Sequence, residues 1–388
     1  MLFYIIMKAS GLVVAIVALG AIGYSISKQK LVTFTYDGKS NEFPKVPFRM
    51  IVAAGVTKIE SYAFYNCTNL VVADIPEGVT IIGDSAFQYC RSLKTVSLPD
   101  SLESIEEAAF YICTSLTTIN IPTSVTSIGV DAFYNCSSLT SINIPTSVTS
   151  IDYSAFDGCS SLKTINIPTS VTSIGDSAFN DCTSLTTIVL PDSVTSIGTR
   201  AFFNCASLTS INIPTSVTSI GDNAFDGCVS LETIKIPEGI TSIGNYVFNE
   251  CLSLKNIILP NSLTSIGEQS FDECISLKTV EIPNTVISIS KNAFDGCSSL
   301  TTINIPTSVT TIDAYVFNEC LSLKNIVLPD GIKSIGERAF CDCKALMSIN
   351  IPTSVTSIGD NAFKGCSSLK PFEIPATVTS IGEGIFDK

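Results

Sequence analysis

Residues 136–158 read CSSLTSINIPTSVTSIDYSAFDG, and Cys159 opens the same pattern again. Within this unit Ile142 and Ile144 alternate with Asn143, the period-two pattern of a strand with one buried face. Pro145 has no amide hydrogen to give a ladder, so it ends that strand. Val148 and Ile151 point inward from a second extended stretch. The Gly that follows the Ile in most units turns the chain, and A-F-x-x-C reads as a short helical or 3₁₀ turn. The apolar set of one unit is Cys136, Leu139, Ile142, Ile144, Val148, Ile151, Ala155 and Phe156. One unit cannot bury these side chains alone, but stacked units bury them against the same residues of their neighbours.

Outward from this stretch the pattern holds almost without a break. Fourteen of the fifteen cysteines stand 23 residues apart, from Cys67 to Cys366, and only Cys341 is off the ladder. Phenylalanine keeps the period from Phe64 to Phe386, and proline from Pro76 to Pro375. A fixed period of this size is the signature of a solenoid. The expected fold is therefore an α/β-type repeat solenoid of about fifteen coils, mostly β, with a parallel β-sheet face and short helical or 3₁₀ turns. Parallel strands about 4.8 Å apart make it a rod roughly 70 Å long. Met50 and Val52 fill the Ile slots of a degenerate first strand, so the solenoid begins near residue 48. NYVFNECLSLKNIILP from Asn245 recurs as AYVFNECLSLKNIVLP from Ala314, three coils later, which points to duplication of a three-coil block.

Composition narrows the function classes. The 388 residues carry a net charge of −13, only 15% are charged, and there is no His and no Trp. Zero His removes Ser-His-Asp and Cys-His catalysis, HExxH metal sites and imidazole proton shuttling. An acidic chain without basic runs is a poor partner for phosphate backbones, so nucleic-acid binding is not expected. No enzyme activity and no cofactor are expected.

The consensus C-x-x-L-x-x-I-x-(I/L)-P-x-x-V-x-x-I-(G)-x-x-A-F-x-x-C resembles the 23-residue unit of the BspA-like (LRR_5-type) leucine-rich repeats, over residues from about 50 to 388. The resemblance implies a curved or gently twisted solenoid on microbial cell surfaces. Some members of that family are adhesins for host proteins or for other microbes, and the family has no shared catalytic residues to carry over. The fold alone does not fix the function.

Three segments follow: an apolar signal peptide or membrane anchor at 1–27, an N-terminal cap at 28–48, and the repeat solenoid at 49–388. Residues 9–26 form an uncharged apolar run flanked by Lys8 and by Lys28 and Lys30. The run is just long enough to span a bilayer, and Ala18-Leu19-Gly20 offers a small-x-small cleavage point. Lysines on both sides leave the orientation open. Residues 31–48 contain an alternating strand and an Asp37-Gly38 turn, and are expected to cover the open core of the first coil. The chain stops mid-coil at Phe386-Asp387-Lys388, and a final coil carrying Ile381, Ile385 and Phe386 is expected to associate end to end.

The candidate ligand-binding residues are the outward strand positions: Thr118, Asn120, Asn143, Thr164, Asn166, Asn212, Thr302, Asn304 and Asn350, with Ser141, Ser210 and Ser348 in the same columns. Stacked, they form columns of hydroxyls and amides. One reading is a solvated face whose amides bond along the ladder; another is a repetitive surface for an extended protein or glycan; a third is an ice-binding lattice. Val189, Lys235, Ile258, Glu281 and Val327 interrupt the Asn column and argue against a strict lattice. Replacing Asn143 and Asn166 by Asp should leave stability nearly intact.

Other columns have plainer readings. The cysteines are buried thiols filling a narrow corner, inter-coil disulfides, or a metal-binding column, of which the last lacks His and paired C-x-x-C motifs. No metal site is expected. Asp157, Asp181, Asp226, Glu250, Asp272, Glu273, Asp295, Glu319 and Asp342 line up between Phe and Cys as a solvated ridge, without a calcium-binding pattern and without a pocket for paired-carboxylate chemistry. Asn66 and Asn135 match the glycosylation sequon, beside core cysteines. The expected function is a cell-surface or secreted repeat protein binding macromolecules. The alternative is a membrane-tethered or intracellular scaffold, the rod then lying on the cytoplasmic side of a membrane.

Overall fold

The computed structural model describes residues 4–9, 12–17, 31–39 and 42–386. Residues 48–386 form a stack of coils, and all but the last contribute one strand to each of two parallel ladders. The first ladder runs as an 11-stranded sheet from Val32–Tyr36 to Asn256–Ile258 and continues as two-stranded pieces through Ser348–Ile349. The second is made of two-residue strands such as Ser150–Ile151. Register is in phase with the repeat: Ile119 pairs with Ile142, and Ile151 with Ile174. Consecutive coils thus place like on like, and the core is one continuous cluster from Phe34 to Phe363.

The expected short helical or 3₁₀ turns are not observed: among the described residues there is no helix. The reason lies in how the A-F-x-x-C backbone shares its donors. The amides of Ala132, Tyr134 and Cys136 bond back three residues within their coil, to Gly129, Asp131 and Phe133. Those of Asp131, Phe133 and Asn135 instead donate to Tyr153, Ala155 and Asp157 of the following coil. A helix would need every one of these amides for itself. The alternation requires left-handed backbone at two positions flanking each Phe, here Asp131 (φ 55°) and Asn135 (φ 50°). Even Ile112 is held there, at φ 57°, a conformation that branched side chains rarely adopt.

The Gly after the second strand does not act through a left-handed turn. At Gly129 an added Cβ would lie 2.7 Å from the Glu106 carbonyl carbon and the Glu107 nitrogen. Its role is close approach between coils.

Two inner columns define the turn edge. Phe64 to Phe363 stack ring on ring with centroids 5.2–5.9 Å apart, an offset geometry that suits aromatic quadrupoles. Beside them the cysteines are all free. The Cys136 thiol donates to the Phe110 carbonyl of the preceding coil at 3.2 Å, and the same contact recurs from Cys90 to Cys366. A thiol suits this slot because it packs as a small apolar group and still satisfies a buried carbonyl.

At the N-terminal end, Val32–Tyr36 pairs in parallel with Phe48–Val52. Phe34 meets Phe48 at 5.8 Å, Phe43 meets Phe64 at 5.2 Å, and Tyr36 meets Phe64 at 5.0 Å. At the other end Ile381 and Phe386 are exposed, with Phe386 against Phe363 at 6.2 Å. Further upstream, Tyr4–Ala9 pairs antiparallel with Leu12–Val17. Most of the apolar run at 9–26 lies outside the described residues. Among the described residues no helix is long and apolar enough to cross a membrane.

Candidate functional site

The strand alternation of the sequence produces the outward columns directly. Thr118 and Asn120 are exposed on either side of the buried Ile119, and Ser141 and Asn143 flank Ile142 in the same way. Parallel register then aligns Thr118 with Ser141, Asn120 with Asn143, and Asn143 with Asn166. Thr164 and Asn166 continue the columns, as do Ser210 and Asn212. Further along, Thr302 and Asn304, and Ser348 and Asn350, are exposed at the same positions.

The structure divides the Asn column into two kinds. Asn143 donates its Nδ2 to the Ile121 carbonyl at 2.9 Å and accepts the Ile121 amide on Oδ1 at 3.1 Å. Asn304 clasps Ile282 in the same two-point way at 2.7 and 2.8 Å, and Asn350 clasps Leu328 at 3.2 Å for both bonds. These amides extend the sheet ladder by one residue beyond the strand, using the side chain in place of backbone. Asn120, Asn166 and Asn212 make no such clasp among the described residues, so their amides face solvent. At Asn143 the amide bonds along the ladder, and an Asn143→Asp change would remove the Nδ2 donor of that clasp.

Two shallow depressions lie on this face. One of about 510 Å³ is lined by Thr95, Thr118, Asn120, Ser141 and Asn143. The other, about 1170 Å³, runs from Asn256 to Asn304 and includes Ile258, Glu281 and Thr302. Thr118, Asn120 and Asn143 are thus brought together, as are Thr302 and Asn304. Thr164, Asn166, Asn212 and Asn350 lie on the open sheet outside both. Three apolar side chains stand out of the Asn column three coils apart: Val189 (71% exposed), Ile258 (59%) and Val327 (73%).

The carboxylate row is not a simple solvated ridge. Asp157 and Asp226 are buried, and amides of the next coil hold them: Asn180 Nδ2 donates to Asp157 at 2.9 Å and Asn249 Nδ2 to Asp226 at 2.8 Å. Asn204 does the same for Asp181, and Asn318 for Asp295. Burial pushes the Asp157 and Asp272 carboxyls up to about 6, against the lowering effect of their amide donors. No group of His, Cys, Asp or Glu among the described residues is placed to hold a metal ion. Burial pushes the column thiols Cys136 and Cys67 up to about 12, and the off-column Cys341 to about 11. Of the two sequon residues, Asn66 is exposed and Asn135 half-buried, both with left-handed backbone.

Sequence reasoning missed one column altogether. In P-x-S-V the serine hydroxyl bonds the Val carbonyl one coil back, as Ser170 to Val148 at 2.5 Å and Ser193 to Val171 at 2.6 Å. The recurrence of Ser two residues after Pro was the available signal.

The coil geometry and the repeat together meet a known family model. The BspA type leucine rich repeat region matches residues 57–186, 172–301 and 264–388. The chain belongs to this family. Among solved structures, a leucine-rich repeat protein from Bacteroides ovatus is 36% identical, with a TM-score of 0.63, over 74% of this chain and 80% of that one. A leucine rich cell surface protein from Faecalibacterium prausnitzii is 30% identical, with a TM-score of 0.49, over 90% of this chain and 87% of that one. No curated protein matches the chain. BspA-type repeats are recognition scaffolds, and protein ligands are the usual partners of leucine-rich repeats.

Proposed function

We propose that this BspA-type protein is displayed on the cell surface or secreted, and that it adheres to an extended protein or glycan through its outward sheet columns. The observation that carries this reading is the register of the columns. Hydroxyls at Thr118 and Thr164 and unclasped amides at Asn120, Asn166 and Asn212 recur every second coil on one face, with the clasped Asn143 and the exposed Val189 in the coils between and the exposed Ile258 beyond. Such a face offers spaced hydrogen-bond donors and acceptors with apolar anchors between them, which is how extended ligands are read. Membrane attachment through residues 9–26, a covering role for 28–48 and end-to-end association through the coil of Ile381, Ile385 and Phe386 belong to the same proposal. The test is a panel of immobilised matrix proteins and glycans probed with the full chain and with Asn120→Asp/Asn166→Asp/Asn212→Asp. Loss of binding in the variant supports the sheet face; unchanged binding by a folded variant removes it.

One observation favours a second reading. Fifteen free thiols suit a reducing compartment better than an oxidising one. In that reading the rod is a tethered scaffold on the cytoplasmic side of a membrane, spacing or assembling partners.

A further inference from the structure

We propose that the turn edge of the first coils carries a second docking site, a tyrosine row that takes an extended cationic peptide. Five rings touch in succession over four coils: Tyr62 to Tyr65 at 5.9 Å, Tyr65 to Tyr89 at 5.6 Å, Tyr89 to Tyr111 at 5.7 Å and Tyr111 to Tyr134 at 4.6 Å. The row is not core: Tyr62 is 61% and Tyr65 47% exposed, and Tyr89, Tyr111 and Tyr134 are half-buried. It is also local: in later coils the slot of Tyr65, Tyr111 and Tyr134 holds Asp157, Asn180, Phe203, Asp226 and Asn249, where Phe203 stands alone. Contiguous exposed aromatic surface marks an interaction site more often than scattered apolar residues do.

The surroundings select the partner. After burial, the carboxylates of Asp131 and Asp157 are among the groups that hold the Tyr111 and Tyr134 hydroxyls above their usual range, so the row lies in a negative field. Elsewhere on this edge the chain covers its own aromatic rings with cations. Arg200 stands over Phe203 at 5.5 Å, and Lys291 and Arg338 over Tyr315 at 5.7 and 5.6 Å. On the tyrosine row one such contact occurs among the described residues, Arg91 over Tyr89 at 5.7 Å. Five rings with adjoining carboxylates and one internal cation leave aromatic faces open to guanidinium or ammonium groups from a partner.

Ring orientation argues against a sugar. Stacking a glycan needs coplanar faces, whereas Tyr65 and Tyr89 meet at 87° and Tyr89 and Tyr111 at 83°; only Tyr111 and Tyr134, at 8°, are parallel. Faces turned in alternate directions suit several separate cations instead. Three inter-coil steps give a row roughly 14 Å long, the length of about four extended residues. This site is distinct from the sheet columns and does not rest on them.

The test is fluorescence anisotropy of a labelled nona-arginine peptide titrated with the full chain. Binding is expected, and Tyr65→Ser/Tyr89→Ser/Tyr111→Ser should weaken it about tenfold. Asp131→Asn should weaken it as well, and Asn166→Asp on the sheet should leave it unchanged. A folded triple variant that binds like the parent would show diffuse charge attraction and overturn the proposal. So would absence of peptide binding, including the case in which a neutral linear hexasaccharide binds the row. Thermal melting checks the fold. Should the triple variant unfold, Tyr65→Ser alone carries the test, with about a threefold loss expected and none overturning the proposal.

Discussion

Ile142 and Asn143 are neighbours on one strand, yet the columns they belong to behave differently along the rod. The inner column keeps Ile at 119, 142, 165, 188, 211 and 234, each 4–6% exposed. The outer column runs Asn120, Asn143, Asn166, Val189, Asn212, Lys235, Ile258 over the same coils. The inner side chain packs against its own image in the neighbouring coils within one continuous core, so a change of volume is felt beyond its own coil. Outward, backbone pairing holds the strand, helped by side-chain clasps at Asn143, Asn304 and Asn350, and the remaining side chains have room to vary. Variation is therefore where recognition has room to be written, and constancy is where the fold is held.

The strongest way to break this comparison is to empty the inner side. Phe156 is fully buried between Phe133 and Phe179, at 5.6 Å from each. Phe156→Ala should cost about 3–5 kcal/mol, read from chemical denaturation, with loss of amide protection in the adjoining coils. A loss below 1 kcal/mol would mean that the stack does not carry the core.

The next effect lies on the outer side and separates two residues that look alike in sequence. Asn143→Asp removes the Nδ2 donor from the Ile121 carbonyl and sets a carboxylate beside it, at a cost of about 1–2 kcal/mol. Asn166→Asp, with no clasp to lose, should change stability by less than about 0.5 kcal/mol. Equal effects in denaturant midpoints would erase the distinction between clasped and unclasped amides.

A smaller, pH-dependent effect belongs to the turn edge. The folded Asp157 carboxyl sits near 6, above its unfolded range, because burial disfavours the charge. The folded state then holds more protons than the unfolded one between pH 4 and 6, so this group's contribution to stability falls as pH rises through that window. Asp157→Asn should therefore stabilise the protein at pH 7 by about 1 kcal/mol, after solvent screening, and the gain should vanish at pH 4. A gain that is the same at both pH values would contradict burial as the cause.

Much of this structure was legible in the 23-residue period. Ile142 alternating with Asn143, Pro145 ending the strand and Phe156 three residues before Cys159 sufficed for coil, register and core. The A-F-x-x-C segment was misread because local propensity sees only its own turn bonds. Its other amides belong to the next coil, and nothing within one repeat displays that. Amides bonding along the ladder were among the readings, but that Asn143 clasps while Asn166 does not was opaque, since both share the same spacing. The cysteine column was readable as burial, but its thiol bond to a Phe carbonyl 26 residues earlier needs the stack to be seen.

The account's central claim, recognition by a rod displayed outside the cell, is tested most directly by protease shaving of intact source cells followed by blotting for residues 49–388. It predicts loss of the repeat signal without permeabilisation. Protection that disappears only when the membrane is opened would contradict it and place the rod inside.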